Sequence, residues 1–163
     1  MIMKLFNSDF FKPLIAQSQD SARRRSNTNL HQGPNDAVQR LFIAMEPDSY
    51  VRPHKHKEAN KWEFFFVVKG SLLFITYTPE GIVTDKVILT AGGENQGLEI
   101  PPNVWHSTVA LESETVFFEV KEGPYIATDD KGFAAWSPAE GDASVAGYIN
   151  KLKTVEIGES ACL

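Results

Sequence analysis

The chain has 163 residues, 42% of them hydrophobic and 23% charged, with a net charge of −5 at pH 7. This is an ordinary globular composition, without the basic excess that marks nucleic-acid binders. No apolar run is long enough to span a bilayer, and a single cysteine, Cys162, excludes an intramolecular disulfide. MIMKLFNSDFFKP lacks the pattern of a secretory signal, so a cytoplasmic protein without nucleic-acid or membrane partners is expected.

In chain order, residues 9–19 carry Phe10, Phe11, Leu14 and Ile15 on one stripe. With Asn7 or Ser8 as cap, and Pro13 tolerable near the first turn, they predict a short helix. Residues 18–29, polar, aperiodic and containing Arg23, Arg24 and Arg25, read as a loop or extended arm. Seven short runs rich in β-branched and aromatic residues follow, at 39–45, 62–69, 71–78, 82–89, 97–100, 106–111 and 115–120. Turn chemistry separates them, as in Lys69-Gly70, Pro79-Glu80-Gly81 and Pro101-Pro102-Asn103. Many short strands without interleaved helices predict an all-β sandwich or barrel. Residues 143–153, with Val145, Tyr148, Ile149 and Leu152 at helical spacing, predict a closing helix. One domain, 1–163, is expected, divided into helix and basic arm (1–32), β-barrel (33–125) and C-terminal segment (126–163).

Two of the four histidines form Pro53-His54-Lys55-His56, and residues two apart on a strand share a face. Glu63 alternates with Phe65 and Val67, so on an inner face its carboxylate needs a charged partner or a metal. His106 follows the proline-fixed turn Ile100–Trp105. Imidazole and carboxylate donors suit Zn, Fe, Ni, Mn or Co. The bland readings are a surface His pair, an exposed strand carboxylate and a turn histidine bonded to backbone.

The joint arrangement resembles the cupin superfamily, whose motifs can be written G-x5-H-x-H-x3/4-E-x6-G and G-x5-P-x-G-x2-H-x3-N. His54 and His56 match H-x-H, Glu63 to Gly70 matches E-x6-G, and Pro101 and His106 match P-x-G-x2-H. The resemblance implies a cupin double-stranded β-helix (jelly-roll barrel) with an N-terminal and a C-terminal helix. It also implies one divalent transition-metal ion (Zn, Fe, Ni or Mn) on His54, His56, Glu63 and His106. Six residues separate His56 from Glu63, more than the motif has, and Glu58 competes for the acidic place; only Glu63 keeps the spacing to Gly70. Asp48, Asn95 and Asn103 stand where the motifs have glycine, and Asn and Asp best tolerate positive φ. Ala110 replaces the motif's last Asn.

Within that superfamily, several stretches resemble the WbuC family of cupin-fold metalloproteins. They include Gln39-Arg40-Leu41 to His56, Lys61-Trp62-Glu63, Ile100 to His106, Phe118 to Tyr125 and Trp136 to Gly141. That family is named from bacterial O-antigen gene clusters, which implies sugar or sugar-nucleotide chemistry such as isomerisation or epimerisation. A non-catalytic binding or sensing module and a metal-dependent oxygenase are the alternatives. The expected ligand is a small polar molecule, anionic or sugar-like.

Arg25, His31, Arg40, Tyr50, Arg52 and Glu119 are candidates for lining the pocket. Arg40 shares the face of Phe42 and Ala44, and Tyr50 and Arg52 precede the His pair. Trp62, Phe64, Phe66 and Val68 lie on the face opposite Glu63 and need cover from the N-terminal helix or a second subunit, so a homodimer is expected.

Overall fold

A computed structural model describes residues 3–163. Helix α1 (Ser8–Asp20) precedes strands β1 (Arg25–Asn29), β2 (Val38–Met45), β3 (Glu63–Lys69), β4 (Ser71–Tyr77) and β5 (Val83–Thr90). Strands β6 (Gly97–Ile100), β7 (Trp105–Ala110) and β8 (Thr115–Glu122), a short 3-10 turn and helix α2 (Val145–Thr154) complete the order. The strands form two antiparallel sheets, ordered β1-β2-β8-β3-β6 and β5-β4-β7. Consecutive strands from β5 to β8 alternate between the sheets, which closes them into the expected jelly-roll barrel.

Period-two patterning sorts each strand into an inward and an outward face. Met45, Phe65, Val67, Leu72, Phe74, Ile100, Ala110 and Phe117 fill the space between the sheets. The outer face of the three-stranded sheet, with Leu73, Ile75, Tyr77 and Val109, is sealed by Tyr148, Ile149 and Leu152 of α2. The outer face of the larger sheet is covered at Phe42, Ala44 and Val116 by Leu14 and Ile15 of α1. Asn7 caps that helix, its side chain accepting from the Phe10 N–H at 3.1 Å.

The basic arm differs from a plain loop. Residues Arg25–Asn29 pair antiparallel with Leu41–Met45, from Arg25 opposite Met45 to Asn29 opposite Leu41. Nothing in Arg-Ser-Asn-Thr-Asn alternates apolar with polar, because an edge strand takes its hydrogen bonds from its neighbour and leaves one edge to solvent. On β3, Phe66 and Val68 remain 37% exposed each, since α1 lies over β2 and β8 instead of over β3.

Two turns test the glycine reading. Gly70 has φ +73°, and a Cβ there would lie 2.5 Å from Thr115 Oγ1, so the E-x6-G glycine is sterically required. Asn103 has φ +68°, replacing a glycine in the left-handed region, whereas Asp48 and Asn95 are not among the positive-φ residues. Those two positions need no left-handed residue.

Candidate metal centre

The histidines are placed by backbone pairing. The His54 N–H donates to His106 O at 3.0 Å and the His106 N–H donates to His54 O at 2.9 Å, so the two residues form one antiparallel bridge. On its other side, the Pro53–Lys55 segment bonds to Gly132 and Ala134. His56, two residues on, shares the cavity-facing side, and Glu63 enters from β3 beside the inward-facing Phe65. Glu58 lies in the loop outside this cluster. The long insertion between His56 and Glu63 therefore does not displace the carboxylate.

One ring nitrogen from each of His54, His56 and His106 lies within 4.8 Å of the others. Glu63 Oε1 is 3.1 Å from His56 Nε2, and Glu63 Oε2 is 3.0 Å from His106 Nε2. Despite that proximity, Glu63 Oε2 and His56 Nε2 are buried with no aligned hydrogen-bond partner among the described residues. Buried polar atoms are costly to leave unmet, and two of the three such side-chain atoms among the described residues belong to this cluster, the third being Trp105 Nε1. The Nδ1 atoms of His54 and His106 lie 2.9 Å from the Arg52 and Val104 carbonyl oxygens. An Nδ1–H donated to each carbonyl leaves Nε2 as a free lone pair, the arrangement that orients histidines on metals. The two Glu63–histidine spacings near 3 Å match adjacent ligands about 2.1 Å from one shared transition-metal ion, while the group whose donor atoms all lie within 4.8 Å of one another comprises the three histidines without Glu63. The residues present fit such an ion, and the histidine cluster with its N/O donors suits Zn, Fe, Ni or Mn.

Electrostatics differ sharply among these groups. Burial, reinforced by the neighbouring His106, pushes His54 down to about 3, so it stays neutral. Burial also works against a charge on His106, but the Glu63 carboxylate outweighs it and raises this histidine above its usual value. Burial alone would raise Glu63; His106 and His56 reverse that and hold it well below the usual carboxylate range.

The cavity around these residues measures roughly 230 Å³ and is walled by Ile43, Met45, Phe65 and Phe117. Of the candidate pocket residues, Arg25 and Glu119 line it. Arg25 is largely committed to its surroundings, donating to Tyr50 O at 2.8 Å and to Glu140 Oε1 at 3.3 Å. The other four lie elsewhere. Arg40 does share the face of Phe42 and Ala44, but that face is the outer one, toward α1. Tyr50 is buried under α2 and donates to Pro138 O at 2.9 Å. Arg52 donates to Ala134 O at 3.0 Å and lies over the Phe133 ring. His31 lines a neighbouring cavity.

Lys121 is the residue that the sequence reading passed over. It stands opposite Glu63 in the β3–β8 ladder, 3.7 Å from Glu63 Oε1 and 2.7 Å from Glu119 Oε1. Burial opposes its charge, but Glu119 and Glu63 more than compensate and raise its pKa. Extending the Thr115, Phe117, Glu119 alternation by one step would have found it. Tyr125, Ile126 and Thr128, from the segment after β8, complete the rim; no periodic signal marks them.

The fold and site together define a jelly-roll barrel with a candidate metal centre. Residues 6–89, over half the chain, match the family described as a domain of unknown function (DUF6016), and the protein belongs to that family. No curated protein matches it. Among solved structures, it is similar to the conserved SPY1581 protein of unknown function from Streptococcus pyogenes, at 9% identity and TM-score 0.52, covering 77% of this chain and 92% of that one. It is also similar to KdgF from a Halomonas species, at 16% identity and TM-score 0.49, covering 63% and 82%. A third similar structure is the Cupin_2 domain of an XRE family transcriptional regulator from Enterobacter cloacae, at 19% identity and TM-score 0.47, covering 62% and 98%. No helix among the described residues is long and apolar enough to cross a membrane.

Proposed function

We propose that this protein is a cupin-type metalloprotein in which His54, His56, Glu63 and His106 hold one divalent transition-metal ion that binds a small anionic, sugar-like metabolite. The observation that carries this reading is the convergence of Glu63 and the two flanking histidine nitrogens at 3.0–3.1 Å, with Glu63 Oε2 and His56 Nε2 left unpartnered. The surrounding charges favour an anion. In the cavity lining, Arg25 and Lys121 balance Glu63 and Glu119, so a divalent ion leaves the cavity with a net positive charge. The sugar component rests on the resemblance of the sequence to proteins of O-antigen gene clusters.

A bound ion would supply Lewis acidity toward a carbonyl or hydroxyl oxygen. The chain's own contribution is an ion pair, Lys121 and Glu119, beside the ligand site, and apolar walls that limit water. Isomerisation or epimerisation is the reaction that the family resemblance implies, with Lys121 as a fixed positive charge beside a ligand oxygen that becomes negative. Purified Glu63→Ala protein is expected to lose most of its metal by elemental mass spectrometry. One full equivalent retained would sink the role given to Glu63.

The same proposal includes a homodimer that covers Phe66 and Val68 of β3, both partly exposed. Sedimentation velocity should show a dimer mass, and a monomer mass independent of concentration would remove it.

A further inference from the structure

A second cavity, roughly 450 Å³, adjoins the candidate metal cavity, and Lys121 and Tyr125 line both. The two spaces differ in chemistry. The lining around the histidines includes the charged Arg25, Glu63, Glu119 and Lys121 among apolar walls, whereas the second cavity is lined by Asn27, Asn29, His31 and Gln32 over Leu41. Asn27 and Asn29 stand two apart on β1 and so share a face. Asn27 Nδ2 donates to Asn29 Oδ1 at 2.7 Å, which leaves Asn27 Oδ1 as an acceptor and Asn29 Nδ2 as a donor without a partner among the described residues. His31 Nδ1 is occupied by the backbone of Arg40, leaving Nε2 for another partner. The wall between the cavities is fixed in place: the Tyr125 N–H donates to Pro34 O at 2.6 Å and the Gly123 N–H to Ala37 O at 2.8 Å.

We infer that this second cavity is a subsite for the hydroxyl-bearing part of a ligand whose acidic end lies at the metal cavity. The inference rests on the anion-binding reading above and extends it. A hydroxyl group both donates and accepts, and so does a carboxamide, so a cluster of neutral amides matches a polyhydroxylated chain or ring. Lys121 is the one lysine and no arginine stands in that lining, so the subsite lacks the guanidinium forks that hold phosphates. The neutral half of a hydroxy acid fits it; a nucleoside diphosphate does not. Size agrees, because the metal cavity alone is smaller than the roughly 300–1,000 Å³ of a usual ligand pocket and the two together fall within that range.

The test titrates metal-loaded protein, freed of excess ion, with glycolate, hexanoate and D-gluconate in a calorimeter. Glycolate reports the metal cavity alone, hexanoate adds length without hydroxyls, and gluconate adds both. The expected result is gluconate at least tenfold tighter than glycolate and hexanoate. In Asn27→Ala/Asn29→Ala, at exposed positions of an edge strand, that advantage should shrink to about threefold or less with glycolate affinity unchanged. Equal affinity for glycolate and gluconate, hexanoate as tight as gluconate, or a full advantage kept in the double variant would each overturn the subsite. Failure of all three acids to bind would instead remove the anion-binding reading on which it depends.

Discussion

Two polar clusters stand out in this chain, and the structure treats them in opposite ways. The arginines of the N-terminal arm are met by protein groups. Arg23 pairs with Glu140 through Nε and Nη2 at 2.6 and 2.9 Å, Arg24 pairs with Asp48 at 3.0 Å, and Arg25 reaches Tyr50 O and Glu140. The hydrogen bond from Arg23 holds the Glu140 carboxyl below its ordinary value, as expected for a satisfied pair. The histidine cluster is the reverse: its backbone-facing nitrogens are bonded while its cavity-facing atoms have partners in range but out of alignment. Residue type alone flags both clusters. Unmet bonding capacity, held in place by satisfied neighbours, separates a site from a clasp.

The largest test of that contrast is His106→Ala. This histidine is 2% exposed, bridges to His54 through both backbone bonds and faces Glu63. Metal is expected to fall from one equivalent to near none after gel filtration. Added metal should also stop raising the melting temperature, a linkage worth about 2.7 kcal/mol at a hundredfold excess over Kd. If the variant keeps its ion, the cluster is no more a site than the arm is.

Acidification gives an intermediate effect whose sign follows from the shifts. An ion needs neutral imidazoles, so every proton displaced lowers affinity about tenfold per pH unit below the pKa concerned. His106, raised by Glu63, holds its proton to higher pH than an ordinary histidine, so affinity should climb as pH rises and level off above that value. His54, pushed down to about 3, should contribute no slope between pH 5 and 6.5. Competition against a metal indicator measures this directly. Affinity that stays flat from pH 5 to 6.5 would mean that His106 carries no proton there and would erase the difference between it and His54.

The legible part of the molecule was what local chemistry fixes. Alternation on β3 put Glu63 inward with Phe65 and Val67, and the spacing to Gly70 chose it over Glu58, as the steric demand at Gly70 explains. Helix α1 was readable from its stripe and cap. What failed depended on knowing which face of a strand is inside. Arg40 was correctly grouped with Phe42 and Ala44, yet that group faces α1 because Ile43 and Met45 pack between the sheets. Tyr50 and Arg52 precede His54 in the chain but turn toward residues 134–138, a segment whose return no sequence pattern announces. Lys121 differs: the Thr115, Phe117, Glu119 alternation points to it, but its place opposite Glu63, far away in sequence, follows only from the β3–β8 register.

The smallest effect belongs to the arm, and it is the control for everything above. Arg23 and Glu140 are 61% and 42% exposed in their side chains, so solvent screens most of their attraction. Arg23→Ala is expected to cost no more than about 1 kcal/mol in urea unfolding, the usual ceiling for an exposed pair. Metal content should be unchanged, because Arg23 does not line the cavity and Arg25 keeps its own bond to Tyr50 O. Elemental analysis and unfolding on the same preparation read both quantities. A loss of metal without a loss of stability would mean that the clasp positions the cavity wall through Arg25, and the separation of the two clusters would have to be redrawn around that residue.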